Sequence, residues 1–317
     1  MVGTQLDLFL DRFTTPAEVP PVPVATAQPE PRPQLDLFGD RQLQLEHARR
    51  ALAEARAADA CRELTRLRSY HPEDPAIAAE LDLARQLERR LDEIETAAAG
   101  ERPRLLAALA RSAPPRVRTS LLRRAAGELG RAGPTALLDD KPASVLLLAA
   151  DDPDAAWVAA DDAARHTPRA RFLAYLADVE HRLDRRSRAR ELYRRALALD
   201  PYDLDWNELA DDAVKELPDI AGAELELDDG MAWAAPVGVV LGVLPVGDPP
   251  VSPVSPVSPT WGDHAADRPP PSALDQARRF LGALVRASRE RGPSMIDARR
   301  EMRLLAPQLL AAYLERR

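Results

Sequence analysis

The stretch that decides the fold is Arg188-Ala189-Arg190-Glu191-Leu192-Tyr193-Arg194-Arg195-Ala196-Leu197-Ala198-Leu199-Asp200-Pro201. Ala189, Tyr193 and Ala196 stand at i, i+4 and i+7, which places them on one face of an α-helix. Pro201 follows Ala189 by twelve residues and cannot continue a helix, because it lacks a backbone N–H and clashes with the preceding turn. The stretch therefore predicts a helix with a small-residue face that ends just before Pro201.

The same spacing of a small residue, two apolar residues and a proline occurs twice more along the chain. The two further copies are Ala60, Leu64, Leu67 and Pro72, and Ala156, Ala160, Ala163 and Pro168. Another small residue precedes each copy by twelve positions, namely Ala48, Ser144 and Ala177. Because the separation of two packed helices depends on the side chains at their contact, this phase predicts three closely packed helix pairs.

The repeated spacing resembles the tetratricopeptide repeat, a helix-turn-helix unit of about 34 residues. The match is degenerate, since the aromatic and Gly signature of the family's first helix is replaced by residues such as Gln44, Asp140 and Glu180. Residues 74–135 add helical patterns without the motif. The resemblance implies an all-α fold, a solenoid whose stacked pairs leave a concave surface that binds a peptide or protein. The alternative is a stack that serves only as a rigid spacer.

Composition narrows the class of protein. Acidic residues outnumber basic ones by 51 to 43, a net charge of −8, so we expect no direct nucleic-acid binding. Cys61 is the single cysteine, which excludes a disulfide within the chain and favours a reducing, cytoplasmic location. The first residues lack the pattern of a secretory signal, and the apolar run at residues 231–246 is too short to span a bilayer. We therefore expect a cytoplasmic protein without a membrane partner.

Two proline-rich stretches divide the chain. Residues 14–33 contain seven prolines and residues 245–271 contain nine, and such sequences cannot bury a core. The predicted organisation is a disordered tail (1–39), a helical repeat domain (40–220), a hairpin or capping segment (221–247), a proline-rich linker (248–271) and a basic C-terminal helical pair (272–317). The hairpin is predicted from a turn at Asp229-Gly230 followed by β-branched residues.

A five-residue word is duplicated on either side of the first proline-rich stretch. Gln5-Leu6-Asp7-Leu8-Phe9 recurs letter for letter as Gln34-Leu35-Asp36-Leu37-Phe38. The word resembles the linear motif by which bacterial polymerases and mismatch-repair proteins dock on the DNA polymerase sliding clamp. The resemblance implies that the glutamine occupies a polar subsite and that the leucine and phenylalanine that end the word enter an apolar cleft. The implied clamp-binding residues are Gln5, Leu6, Leu8, Phe9, Gln34, Leu35, Leu37 and Phe38.

An alternative interpretation keeps both words inside the molecule. Leu6, Phe9 and Phe13 lie at i, i+3 and i+7, so the first copy would form an amphipathic helix. Leu37 and Phe38 would form an apolar staple before a helix capped by Asp40. Under this interpretation the chain is a scaffold or assembly protein that does not bind the clamp.

The sequence carries no recognisable catalytic constellation. Its five histidines lack metal-ligand spacing, and no phosphate-binding Gly-rich loop is present. A cluster of acids that suggests a divalent cation consists of Asp151, Asp152, Asp154, Asp161 and Asp162. The first three are interpreted instead as a helix start, and Cys61 is interpreted as a packing residue. We expect no catalytic residue, metal or cofactor. The expected function is a non-enzymatic adaptor that binds the sliding clamp through its tail and an unidentified protein or peptide through its helical groove.

Overall fold

A computed structural model of the protein describes residues 37–248 and 272–316. The chain divides into two units, residues 1–43 and 44–317. The described residues are mainly helical, and their one sheet is a ladder of two short strands. The predicted all-α class is confirmed. The clamp-like word at residues 5–9 and the start of the second word, residues 34–36, lie outside the described residues.

The first five helices run from residue 37 to residue 132. They are α1 (Leu37–Ala53), α2 (Ala57–Tyr70), α3 (Pro75–Thr96), α4 (Arg102–Ser112) and α5 (Pro115–Ala132). Three of them carry a proline in the first turn, where the missing N–H costs no hydrogen bond. Asp74 caps α3 by accepting the backbone N–H groups of Ala76 and Ile77. The buried faces of these helices form one core of Leu and Ala side chains.

A tight hairpin joins these helices to the next four. Strands β1 (Leu137–Leu138) and β2 (Lys141–Pro142) are antiparallel, and both residues of the connecting turn, Asp139 and Asp140, have positive φ. Positive φ at both central residues is the geometry of a two-residue hairpin turn. The helices that follow are α6 (Ala143–Ala149), α7 (Pro153–His166), α8 (Ala170–Arg182) and α9 (Arg186–Leu199).

The prediction of a hairpin within residues 221–247 is wrong. After a 3₁₀ turn (Pro201–Asp203), the short helices α10 (Asp212–Lys215) and α11 (Leu217–Asp219) and a π turn (Ile220–Glu224), the chain forms helix α12 (Gly230–Val240). Asp229 is the N-cap of α12 and accepts the N–H of Ala232. Every residue from Ala232 to Val240 is buried. A short run that is apolar on all sides suits a buried helix as well as a buried strand, so periodicity does not separate them.

The C-terminal block contains three helices rather than the predicted pair. They are α13 (Ala273–Arg289), α14 (Pro293–Leu305) and α15 (Pro307–Glu315). The second predicted helix is split because Ala306 has an extended ψ and Pro307 begins a new first turn. Phe280 packs edge-to-face on Trp233 of α12, and Arg278 donates to the carbonyl groups of Ala198 and Leu199 at the end of α9. The buried side chains of these helices form a second hydrophobic core together with those of α7–α9 and α12.

Candidate functional site

All apolar residues of the predicted repeat face inward. The nine side chains are at most 1% exposed: Ala60, Leu64, Leu67, Ala156, Ala160, Ala163, Ala189, Tyr193 and Ala196. The small residues of the preceding helices, Ala48, Ser144 and Ala177, are also buried. Pro72, Pro168 and Pro201 each lie two residues beyond the last residue of α2, α7 or α9. The small and apolar positions build the helix packing and are not available to a ligand, whereas Pro72 and Pro168 are exposed at the helix ends.

Tyr193 brings a polar hydroxyl group into this packed core. Its hydroxyl group donates to Oδ1 of Asp178 on α8, and the same oxygen accepts the N–H of Ala210 at 2.8 Å. Burial raises the pKa of Asp178 to about 6, even though these two hydrogen bonds favour its ionised form. Burial and the neighbouring carboxylate also raise the pKa of Tyr193. The cluster holds the segment before α10 against α8 and α9.

Glu180 is a second buried carboxylate, fully enclosed between three helices. It accepts Nε1 of Trp157 on α7 at 2.7 Å and lies 2.9 Å from Nε of Arg188 on α9. The Arg188 guanidinium group also lies over the Trp157 ring, 5.7 Å from its centroid. At sequence level Glu180 is a departure from the repeat family. The structure gives it a role as a link between α7, α8 and α9, and the sequence signal for that role is an acid at a position of the buried helix face.

A cavity of about 490 Å³ opens beside the Asp178 cluster. Its walls come from β2, α6, α8 and residues 208–215. Both lysines of the chain, Lys141 and Lys215, line it together with Val145, Leu148, Tyr175 and His181. Lys141 Nζ lies 3.1 Å from Glu208 Oε1, and both side chains are partly exposed. The volume of the cavity and its mixed apolar and charged walls suit a few side chains of a bound peptide or protein.

Of the two clamp-like words, only the last two residues of the second lie within the described residues. Gln5, Leu6, Leu8, Phe9, Gln34 and Leu35 lie outside the described residues. Leu37 and Phe38, the end of the second word, are the first two residues of α1. The described chain therefore does not bring the two words together with any other candidate site.

Two of the acids considered as a cation site are engaged in other contacts. Asp152 caps α7 through the N–H of Ala155 and pairs with Arg123 at 2.8 Å. Asp161 pairs with Arg165 at 2.7 Å. In residues 37–248 and 272–316, no group of three or more His, Cys, Asp or Glu side chains could hold a metal ion. Burial, followed by the neighbouring Glu88, raises the pKa of the Cys61 thiol to about 12, so it is a packing group at neutral pH.

Comparison with known proteins adds no relative. No protein-family model, curated protein or solved structure matches the chain. Among the helices of the described residues, none is both long enough and apolar enough to cross a bilayer.

Proposed function

We propose that the protein is a non-enzymatic adaptor that docks on the bacterial DNA polymerase sliding clamp and holds a second protein on its helical body. The observation that carries the proposal is the letter-for-letter duplication of Gln-Leu-Asp-Leu-Phe at residues 5–9 and 34–38. Two of the five phenylalanines in the chain end these words. The adaptor would tether a partner at sites of replication or repair, or restrain the clamp by competing with polymerases.

The chemistry of one word suits a weak peptide ligand. Burying a leucine and a phenylalanine contributes about 1.5 to 3 kcal/mol each, and ordering a free tail offsets much of this. One copy is therefore expected to bind with a dissociation constant near ~1 μM. Two copies on one chain would raise the apparent affinity if both reach equivalent sites of the same ring.

The helical body supports the second half of the proposal. Paired helices with small residues at their contacts build a rigid frame, and the cavity between α6 and α8 offers a concave, mixed-polarity surface. A rigid body with a surface for a second ligand is what an adaptor requires beyond its docking tail.

The second candidate function is a scaffold that does not bind the clamp. One observation favours it: α1 begins at Leu37, so the last two residues of the second word are helical. In this alternative the word initiates α1 and stabilises the body. It does not explain why the same five letters also occur at residues 5–9 in a different sequence context.

Sedimentation of the intact protein with a purified bacterial sliding clamp tests the proposal. We expect a faster-sedimenting complex with the intact chain and none with the Phe9→Ala/Phe38→Ala double variant. As a matched control, Phe13→Ala removes a nearby phenylalanine that belongs to neither word, and its complex should persist.

Urea unfolding of the same proteins separates the two functions. If the protein is an adaptor, the double variant should unfold at the same urea concentration as the intact chain. The scaffold predicts that no complex forms with any of the proteins and that Phe38→Ala lowers the unfolding midpoint. That second pattern would replace the adaptor by the scaffold.

A further inference from the structure

A second groove lies outside the repeat-like helices, between α3 and the junction of α4 with α5. Its volume is about 540 Å³. The floor is apolar: Leu87 and Val117 are buried, and Leu83 and Leu109 pack on the core with one side open to the groove. Such a floor offers burial to two or three large apolar side chains of a ligand.

The groove is long and its far wall is rigid. On α3 the lining extends from Leu83 to Glu93, and the ten residue steps between them rise about 15 Å along a helix. The opposite wall contains Pro114, next to Pro115, and these two prolines fix the turn between α4 and α5. A length of about 15 Å exceeds what a small anion needs and matches four or five extended residues. A groove of this length therefore suits a peptide segment. Because the groove is already formed, the protein pays little free energy to reorganise when the segment binds.

The α4–α5 side of the groove is strongly positive, whereas on the α3 wall the positive charge of Arg90 is paired with Glu93. From residue 102 to residue 131 the chain has one acid, Glu128, and eight arginines: Arg102, Arg104, Arg111, Arg116, Arg118, Arg123, Arg124 and Arg131. Some of these are neutralised, as Arg116 is by Glu80 at 2.5 Å and Arg123 by Asp152.

Within the described part of the chain, three arginines at the groove or next to it in sequence have no ion pair. Arg89 lines the groove, and Arg111 and Arg118 each adjoin a lining residue in sequence. Among the described residues, no carboxylate lies within ion-pair distance of any of these three guanidinium groups. Arg118 donates only to the carbonyl oxygen of Ala110. The acid that lines the groove in the described chain, Glu93, pairs with the lining Arg90 at 2.9 Å, so Arg89, Arg111 and Arg118 remain without an ion pair beside the apolar floor.

We propose that this groove, formed by α3 and the α4–α5 junction, binds an acidic peptide segment of a partner protein. Large apolar side chains of the segment fill the floor between Leu83, Leu87 and Leu109. Its carboxylate groups meet Arg89, Arg111 and Arg118 at the rim, where charge-assisted hydrogen bonds to arginine are favoured. The inference rests on the proposed function and assigns the second partner to this groove rather than to the cavity between α6 and α8, because the groove also specifies the chemistry of the partner.

The test selects random 12-residue peptides displayed on phage against the intact protein. Counter-selection uses Ala113→Phe, which fills the groove from a half-buried residue in extended conformation without deleting a core side chain. We expect the enriched peptides to carry at least two Asp or Glu residues beside Leu, Ile or Phe. A synthetic copy of the leading peptide should then bind at least tenfold more weakly to Ala113→Phe and to Arg89→Glu/Arg111→Glu.

The matched control is Arg62→Glu/Arg165→Glu, which makes the same charge change on exposed side chains of α2 and α7. This variant should bind the synthetic peptide within twofold of the intact protein. Circular dichroism melting verifies that every variant is folded. A variant that melts early is replaced by Ser112→Glu, which places a negative charge on the exposed rim.

Several outcomes would overturn the inference. These are a failure to enrich any peptide, a neutral or basic consensus, and equal binding of the leading peptide to the intact protein and Ala113→Phe. A change in the sedimentation of the protein alone in Ala113→Phe would assign the groove to a second copy of the chain instead. Binding of the peptide to the Phe9→Ala/Phe38→Ala variant is expected to be unchanged, so clamp docking and groove binding fail or succeed separately.

Discussion

Asp178 illustrates how one side chain fixes the junction of three segments. It lies on α8, accepts the hydroxyl group of Tyr193 on α9 and accepts the N–H of Ala210 before α10. A buried carboxylate without such donors would be costly, because it loses its hydration. The residue also lies at the wall of the cavity beside α6, so the stability of this junction sets the shape of that cavity.

Removing the hydroxyl group of Tyr193 is expected to destabilise the fold. Tyr193→Phe keeps the ring but takes one donor from the buried Asp178 carboxylate, which costs about 1 to 3 kcal/mol of unfolding free energy. Urea unfolding measures the change. Tyr70→Phe is the control, since Tyr70 is largely exposed and should change the unfolding free energy by less than ~0.5 kcal/mol. Equal effects of the two substitutions would contradict the role assigned to the hydroxyl group.

The ionisation of Asp178 predicts a pH dependence of stability. Its pKa is about 6 in the folded protein and lies near ~3.9 in an unfolded chain, so the folded state binds more protons between these values. Stability contributed by this group is present at low pH and is lost as the pH rises through about 6. The magnitude is about 3 kcal/mol, since each pKa unit corresponds to about 1.4 kcal/mol.

Asp178→Asn isolates this contribution, because the amide oxygen still accepts hydrogen bonds but does not ionise. The unfolding free energy of the unsubstituted protein, relative to Asp178→Asn, should fall as the pH is raised from about 4 to about 7. Using the difference removes the effect of groups such as Glu80, whose pKa is shifted in the opposite direction. A difference that stays constant with pH would show that Asp178 does not titrate in this range.

At the scale of an element, α12 depends on one close approach of backbone to backbone. Gly230 begins the helix, and a Cβ atom at this position would meet the carbonyl oxygen of Pro218 well inside van der Waals contact. The backbone cannot move as a flexible side chain would. The preceding Asp229 adopts a positive φ, caps the helix and receives a hydrogen bond from Tyr202.

Gly230→Ala is therefore expected to lower the unfolding free energy by about 1 to 3 kcal/mol, the usual cost of overpacking. Gly127→Ala provides the matched control in the middle of α5, because nothing lies within 4 Å of the added methyl group. There the substitution should stabilise the protein by about 0.4 to 1 kcal/mol. Thermal unfolding of both variants gives the comparison, and a neutral Gly230→Ala would mean that Pro218 does not approach the helix start.

The elements also show where reasoning from sequence succeeds. Helices with one apolar face are readable, since Ala189, Tyr193 and Ala196 fall on one side of a 3.6-residue turn and are all buried. The buried α12 has no polar face and therefore no period to read. The groove between α3 and the α4–α5 junction depends on the packing of segments that are about 25 residues apart, so no local sequence pattern predicts it. The role of Glu180 could not be predicted for the same reason, because its partners lie on two other helices.

At the scale of the whole molecule, the proposed adaptor separates docking from cargo. The two words flank a proline-rich stretch of 24 residues, which would extend about 75 Å at ~3.1 Å per residue. Linkage of two weak words would raise the apparent clamp affinity by about 10²-fold if this length spans two sites of the ring.

Shortening the tether tests this linkage. A deletion of residues 14–25 keeps both words and removes half of the residues between them. If the full tether spans two sites, the shortened chain should bind the clamp with an affinity close to that of a single word. Replacing the deleted residues with a Gly/Ser sequence of equal length is the control and should restore most of the affinity. An unchanged affinity in the deletion would contradict simultaneous docking of both words.

The most direct test of the adaptor is a calorimetric titration of the sliding clamp with four proteins: the intact chain, Phe9→Ala, Phe38→Ala and the double variant. We expect tight binding by the intact chain, weaker binding by each single variant and none by the double variant. Phe9→Ala should lose more affinity than Phe38→Ala, because Phe38 lies in the first turn of α1 and that turn must fray before the second word is free. Absence of heat from the intact chain would contradict the central claim and leave a helical protein that does not dock on the clamp.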